Sequence, residues 1–165
     1  MKQQGITANT IHKLAWDHAV GKEQRDQRAF LFDFRIHDGQ VLAYTRPMDA
    51  PCPLNAGGEY VLQTRLIPMT RHGKKEKRIR ESGPMHEWIV TVFSRNGMGV
   101  EIIDLRAESL PLAHPSGPEF VLHTHIVTVV AKVNDLSAAR KAWARGMGRH
   151  KAWGCGTLVL RQTQG

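Results

Sequence analysis

The stretch Gly146–Leu160, GMGRHKAWGCGTLVL, lies between a helix-like run and a short apolar strand, and four of its residues are glycines. Glycine reaches positive φ and lets backbone amides approach a phosphate closely, which marks Gly146 and Gly148 as candidate anion-binding positions. Basic side chains among the glycines, Arg149, His150 and Lys151, would strengthen the attraction. The same spacing also suits a plain turn from helix to strand, so this stretch alone leaves both interpretations open.

The composition favours an anionic partner. The chain has 165 residues and a formal net charge of +8, which points to nucleic acid, a membrane surface or an acidic protein. Cys52 and Cys155 provide neither a disulfide framework nor a zinc ligand set. No apolar run approaches the roughly 18 residues of a membrane span, and no signal peptide opens the chain. We therefore expect a protein of a reducing compartment, most simply the cytoplasm.

The N-terminal part predicts a helix followed by a hairpin. A buried helical stripe is predicted from the spacing of Ile11, Leu14, Ala15 and Ala19. Two strands follow, Ala29–Ile36 and Val41–Arg46, and the Asp-Gly step between them is typical of a tight hairpin.

His12 lies beside that stripe, on the same side of the helix as Asn9 and Trp16. We expect it in the first turn, where the positive end of the helix dipole favours a neutral imidazole that can accept a proton. A histidine that only caps the helix or faces solvent is the alternative.

A segment rich in proline and glycine, Pro47–Gly58, predicts a linker. We place the domain boundary there, giving an N-terminal domain over 1–57 and a C-terminal domain over 58–165. After a strand at Tyr60–Ile67 comes the most basic tract, Thr70–Arg80, TRHGKKEKRIR. It has no apolar periodicity and is expected to be an exposed loop or ribbon, either solvated or binding backbone phosphates.

The rest of the chain completes one motif. A helix capped by Ser82 is followed by a strand at Gly99–Leu105, a loop at Ala107–Glu119, a strand at Phe120–Val133 and a helix at Leu136–Arg145 capped by Asn134 or Asp135. From residue 59 the order is therefore strand, helix, strand, strand, helix, strand, a complete ferredoxin-like unit. Residues 9–46 supply only the middle of a second unit. The predicted fold class is α+β, with tandem ferredoxin-like (RRM-like) domains, the first incomplete and lacking its first strand.

A bare sheet edge would follow from the missing strand. We expect a partner, the rest of the molecule or an upstream translation start to cover it. His123 and His125 share one face of their strand, but no third or fourth ligand is evident, so we expect no metal and no cofactor.

Four stretches resemble the CasE family of CRISPR-associated endoribonucleases, the repeat-processing subunits of Cascade-type complexes. They are Asn9–Trp16 (NTIHKLAW), Ala29–Ile36 (AFLFDFRI), Leu62–Arg80 with His86–Ile89, and Gly146–Leu160. The resemblance implies two ferredoxin-like domains and a metal-independent endoribonuclease. Such an enzyme cuts precursor CRISPR RNA at the base of the repeat stem-loop, through attack of a ribose 2′-hydroxyl that leaves a cyclic phosphate. It also implies that the enzyme stays on the guide RNA and joins other effector-complex subunits.

In this resemblance His12 matches the catalytic histidine, and Asn9 stands where the family usually has tyrosine. Cations are needed to hold the phosphates of the RNA stem. The RNA-binding candidates are Lys13, Arg71, Lys74, Lys75, Lys77, Arg78, Arg80, Arg95, Gly146, Gly148, Arg149, His150 and Lys151. Because an amide cannot act as a phenol does, a non-cleaving subunit that only holds the RNA hairpin is the alternative. A basic module for DNA or protein is a third possibility.

Overall fold

A computed structural model of the chain describes residues 7–19, 30–112, 120–148 and 154–161. In this part of the chain the helices are α1 (Ala8–Ala19), α2 (Ser82–Arg95) and α3 (Leu136–Arg145). The strands are β1 (Phe30–His37), β2 (Gln40–Pro47), β3 (Glu59–Leu66), β4 (Met69–His72), β5 (Lys75–Arg78), β6 (Met98–Leu112), β7 (Phe120–Val133) and β8 (Val159–Arg161). None of these helices is both long and apolar enough to cross a bilayer.

The C-terminal unit is ferredoxin-like, as predicted. Its four-stranded sheet has the order β6-β7-β3-β8, and β3 pairs antiparallel with both β7 and β8. Alternate β7 residues, among them Val127 and Val129, pack with Ile89 and Phe93 of α2 and Trp143 of α3 in one buried cluster. A separate hairpin, β4–β5, is inserted between β3 and α2. The sheet and its two helices therefore form a complete core from which this hairpin projects.

The β6–β7 pair is longer than predicted. We expected a loop from Ala107 onward, but β6 continues to Leu112 and pairs in register with β7 down to Leu112 opposite Phe120. The prediction was wrong because Pro111 suggested a loop. An edge strand accepts proline since one row of its amides needs no partner, and β6 is the edge of the sheet. The extension brings Leu110 to the N-terminal unit.

The N-terminal unit is α1 packed on the β1–β2 hairpin. The hairpin turn has positive φ at Asp38 (49°) and Gly39 (71°), as the Asp-Gly step predicted. Ile11 and Ala15 of α1 are buried against the β1 phenylalanines and Leu110. Leu14 was assigned wrongly to the buried stripe, since its side chain is 42% exposed. The Ala19 side chain lies outside the described residues.

Side chains of the C-terminal unit cover part of the hairpin. In the described residues β1 and β2 pair only with each other. The Phe32 carbonyl accepts a hydrogen bond from Thr157 Oγ1 (2.7 Å), and the Phe34 carbonyl accepts one from Arg65 Nη2 (3.2 Å). From β2, Arg46 donates to the Leu158 and Trp143 carbonyls, both at 2.7 Å. The rest of the molecule thus provides part of the cover that we expected for the incomplete unit.

The linker between the units is anchored at its C-terminal end. Leu54 is fully buried in the C-terminal core, and Gly57 and Gly58 exchange backbone hydrogen bonds with Val133 (2.9 and 3.0 Å).

The two predicted helix caps had different outcomes. Asp135 caps α3 by accepting from the Ala138 amide (3.1 Å), whereas α2 starts at Ser82 itself, with Glu81 as N-cap and no side-chain cap bond.

Candidate nucleic-acid interface

The basic tract forms an exposed ribbon, as predicted. We call residues 69–80 the basic ribbon: β4 and β5 pair with Arg71 opposite Glu76 and His72 opposite Lys75, and Gly73 turns the chain at φ 62°. Its base is fixed because Ile79 is buried and donates its amide to the Pro68 carbonyl at 3.1 Å. The predicted RNA-binding residues on the ribbon are Arg71, Lys74, Lys75, Lys77, Arg78 and Arg80. Such an array attracts a phosphate backbone.

A cleft of about 590 Å³ lies between this ribbon and α2. We call it the Trp88 cleft, and its walls include Arg71, Trp88, Arg95 and Gly148. Three of these four residues were predicted to bind RNA, and the fold brings them together from the ribbon, from α2 and from the end of α3. Guanidinium groups beside an indole suit a phosphate and an adjacent base, which stacks on aromatic rings.

Trp88 lies on α2, the helix that packs on the C-terminal sheet. It is partly buried against the C-terminal core, so its ring is held while one part of it lines the cleft. Arg95 lies two turns along from Trp88 on α2. Its position follows from the spacing of seven residues, which places both side chains on one helix face.

The helix α1 holds the other predicted site residues. Its cap is Thr7, whose Oγ1 accepts a hydrogen bond from the Thr10 amide at 3.2 Å. His12 is therefore the fifth residue of the helix and lies in its second turn, not in the first turn as we expected. The electrostatic effect of the helix dipole falls off within the first turn, so His12 feels less of it than a first-turn residue would.

His12 is half-buried among aromatic rings. Its ring centroid lies 6.0 Å from that of Trp16 and 6.4 Å from that of Phe32. Asn9 is also half-buried, and Lys13 is exposed on the same helix. A half-buried imidazole that remains accessible suits proton transfer to a bound ligand.

The glycine segment, residues 146–156, is mostly a packing device in its described positions. Gly146 ends α3 at φ 78° and donates its amide to Ala142. Gly156 and Met147 are joined by an amide–carbonyl hydrogen bond of 2.8 Å, and a Cβ on Gly156 would lie 1.8 Å from the Met147 carbonyl oxygen. A Cβ on Gly154 would lie 2.7 Å from the Phe32 ring. At Gly146, Gly154 and Gly156 the structure therefore favours the plain turn from helix to strand, the alternative to anion binding.

Gly148 differs from the other three. It is exposed in the Trp88 cleft, and a Cβ there would meet only Leu66 Cδ2, at 3.9 Å. Gly148 thus lies in the Trp88 cleft, while Gly154 lies against Phe32, the ring neighbour of His12. Arg149, His150 and Lys151 themselves lie outside the described residues.

Sequence reasoning missed a buried arginine that joins the two units. Arg65 is only 1% exposed, lies 3.9 Å above the Phe34 ring and donates to Glu108 and Thr124, both at 2.8 Å. An arginine in a strand is usually solvent-exposed, so composition gives no signal for it. The only signal is strand alternation, because Gln63 and Arg65 occupy the sheet face opposite the apolar Leu62 and Leu66.

Burial at this junction shifts the pKa of two ionisable groups. It raises the pKa of Asp33, against the opposing effect of Arg65. It also raises the pKa of the Cys155 thiol to about 12. Within the described residues no group of three or more His, Cys, Asp or Glu side chains is placed to hold a metal ion.

Comparison with known proteins places this fold. No family model and no curated protein matches the sequence. The structure of Thermus thermophilus Cse3 bound to an RNA representing a pre-cleavage complex matches with a TM-score of 0.70 and 16% identity, over 94% of this chain and 89% of that one. CRISPR-associated Cas6e from Escherichia coli str. K-12 matches with 0.64 and 18%, over 93% and 91%. A chain of a CRISPR RNA-guided surveillance complex matches with 0.62 and 20%, over 93% and 89%.

The chain therefore has the fold of these CRISPR-associated structures. The fold expected from the resemblance to the CasE family is confirmed over nearly the whole length.

Proposed function

We propose that the chain is a CRISPR RNA-processing endoribonuclease of the CasE type. It would cut precursor CRISPR RNA at the base of the repeat hairpin without a metal ion and remain bound to the guide RNA with other effector-complex subunits. The fold supports this class, and the solved structures that share it include one bound to RNA and one within a surveillance complex.

One observation carries the proposal. Gly148 lies in the Trp88 cleft with Arg71 and Arg95, and Gly154 lies against Phe32, the ring neighbour of His12. A cleft lined by cations and the aromatic surroundings of an imidazole thus adjoin two glycines that lie six residues apart in the sequence. In-line attack on a phosphodiester needs this combination of a group that moves protons and cations that offset charge on the phosphorus.

The proposed reaction is a transesterification. The ribose 2′-oxygen forms a bond to the adjacent phosphorus while the bond from phosphorus to the 5′-oxygen breaks. The 2′-hydroxyl loses its proton and the departing 5′-oxygen gains one. His12 is the side chain that we assign to this proton movement, while the arginines of the Trp88 cleft and the cations of the basic ribbon hold the RNA.

A cleavage assay with a repeat hairpin RNA in EDTA tests the proposal. The wild-type protein should give a product with a 2′,3′-cyclic phosphate. The variant His12→Ala should lose about 10²–10⁴-fold in rate, the usual contribution of a proton-transfer group, and keep its RNA affinity. The matched control is His86→Ala, an exposed histidine on α2, which should cut like the wild type. No cutting by the wild type, or undiminished cutting by His12→Ala, would contradict the proposal.

A non-cleaving RNA-holding subunit is the second candidate, favoured by Asn9 at the position of the family's tyrosine. Tight hairpin binding with no product from the wild type under any condition would support it. The variant Asn9→Tyr separates the two further, because a protein that lacks only the phenol should begin to cut. Equal affinity for duplex DNA and hairpin RNA at one salt concentration would instead favour a general basic module.

A further inference from the structure

We infer a second phosphate-binding site at the base of the basic ribbon, where His123 and His125 of β7 lie beside Arg78 and Arg80. The site would take a backbone phosphate of the bound RNA, outside the Trp88 cleft. The inference rests on the proposed function for the identity of its ligand as RNA.

The strand register brings the two histidines to this place. His123 and His125 are two residues apart on one face of β7, and His125 is paired with Leu66, near the end of β3. Two residues further along the chain, the Pro68 carbonyl accepts the hydrogen bond from the Ile79 amide. Arg78 and Arg80 flank Ile79, so the base of the ribbon is fastened beside the histidine pair.

The electrostatics of the histidines reflect this position. Burial lowers the pKa of His123, and the positive charges of Arg78 and Arg80 lower it further. Burial likewise lowers the pKa of His125, with further contributions from Arg78 and His123. In the free protein, burial and then the nearby positive charges both disfavour the charged form of the two imidazoles.

Hydrogen-bonding capacity is left over at this point. His125 is only 8% exposed, and within the described residues its buried Nδ1 has no hydrogen-bond partner; the same is true of the buried Nε of Arg78. His123 Nδ1 lies 3.0 Å from Ser109 Oγ on the neighbouring strand, which orients the ring. Buried polar groups without partners are costly, and an acceptor that met them through a side-chain shift would relieve this cost.

The adjoining cleft has a volume and a net positive charge that suit an anion. Its volume is about 520 Å³, and its walls carry Lys77, Arg78, Arg80 and His72, with Glu81 as the acidic residue among those that line it. The excess of positive charge selects an anion. A phosphodiester is the anion that the proposed function supplies, and its unesterified oxygens accept bonds from guanidinium and imidazolium groups.

A phosphate bound at this site would act on the pKa of the histidines in the opposite direction to the arginines. Its negative charge raises the pKa of His123, so RNA binding takes up a proton and the affinity increases as the pH falls. His123 then donates one ring N–H to Ser109 and has the other for the phosphate.

The test is the affinity for a hairpin RNA that carries a 2′-deoxy substitution at the cut site and cannot be cleaved, measured from pH 5.5 to 8.0 at constant ionic strength. Wild type should bind more tightly on acidification. His123→Gln should lose at least threefold of that gain and, at pH 6, should lower the slope of log affinity against log salt by about 1. His86→Gln, the control on α2, should follow the wild type. His125 is buried, so its substitution would also perturb the fold. Ser109→Ala is therefore the second variant and should lose part of the same gain.

Several outcomes would decide the matter. A His123→Gln profile that follows the wild type, with normal binding and cleavage, would overturn this site and leave the proposed function intact. No hairpin binding by the wild type at any pH would remove both. An NMR titration identifies the ligand: a rise in the His123 pKa with the RNA supports the site, whereas an equal rise with inorganic phosphate and none with RNA would overturn its assignment to RNA.

Discussion

Replacement of Gly156 by alanine should be far more damaging than replacement of Gly148, although both lie in one loop at nearly the same backbone angle. Their φ values are 82° and 71°. An L-residue in that region costs about 1–2 kcal/mol, so both variants carry this penalty. At Gly148 little is added, because the new Cβ would lie 3.9 Å from its nearest neighbour, Leu66 Cδ2, an ordinary contact distance.

At Gly156 the new Cβ would lie 1.8 Å from the Met147 carbonyl oxygen, so the backbone has to move. That movement breaks the hydrogen bond from the Met147 amide to the Gly156 carbonyl (2.8 Å) and the one from the Gly156 amide to the Arg65 carbonyl (2.7 Å). Two buried backbone bonds left unmade cost about 2–4 kcal/mol. The total is about 3–6 kcal/mol, a large share of the roughly 5–15 kcal/mol that holds a domain together.

Denaturant unfolding of wild type, Gly148→Ala and Gly156→Ala measures the two losses directly. We expect Gly156→Ala to exceed Gly148→Ala by at least about 2 kcal/mol. On the proposed function, RNA binding measured at a temperature where both variants remain folded gives the functional comparison: Gly148→Ala should weaken binding at the Trp88 cleft without a comparable loss of stability. Equal unfolding free energies for the two variants would refute the packing role assigned to Gly156.

Two further predictions concern the junction of the two units. Arg46→Met should lower the unfolding free energy by about 2–4 kcal/mol, because the Trp143 and Leu158 carbonyls lose their hydrogen-bond donor. Arg46→Lys should recover only part of this loss of stability. Denaturant unfolding that shows no loss for Arg46→Met would contradict the prediction. In a reaction with Ellman's reagent at pH 8, the half-buried Cys52 should react in the folded protein, whereas the buried Cys155, with its thiol pKa of about 12, should react only after unfolding. Cys52→Ser should abolish the early reaction, and two thiols reacting early in the wild type would be the contrary result.

Local sequence signals predicted the elements that depend on local chemistry. The Asp38-Gly39 turn and the Asp135 cap are set by residues within three positions of each other, so the sequence is enough to place them. The extension of β6 to Leu112 was missed because its stability comes from pairing with β7 along its whole length, which outweighs the presence of Pro111.

The candidate site divides in the same way. The cations of the basic ribbon could be found from composition, since charge needs no tertiary structure to be recognised. The Trp88 cleft could not, because Arg71, Arg95 and Gly148 meet only after the C-terminal unit folds. The burial of Arg65 could not be recognised from local sequence for a related reason: its partner Glu108 lies 43 residues away in the chain.

The junction uses arginines where an apolar contact would give similar burial, and the geometry indicates what they add. Arg46 donates to two carbonyls of the C-terminal unit, and Arg65 donates to the Phe34 carbonyl of β1. Hydrogen bonds are directional, so they fix the position of the hairpin along the sheet, whereas apolar surfaces alone tolerate sliding. The hairpin carries Phe32, which lies between His12 and Gly154. On the proposed function, displacement of a reacting group by about 1 Å can cost 10²-fold in rate. On that function the buried arginines would be positioning residues, because they fix the hairpin on which α1 and its imidazole pack.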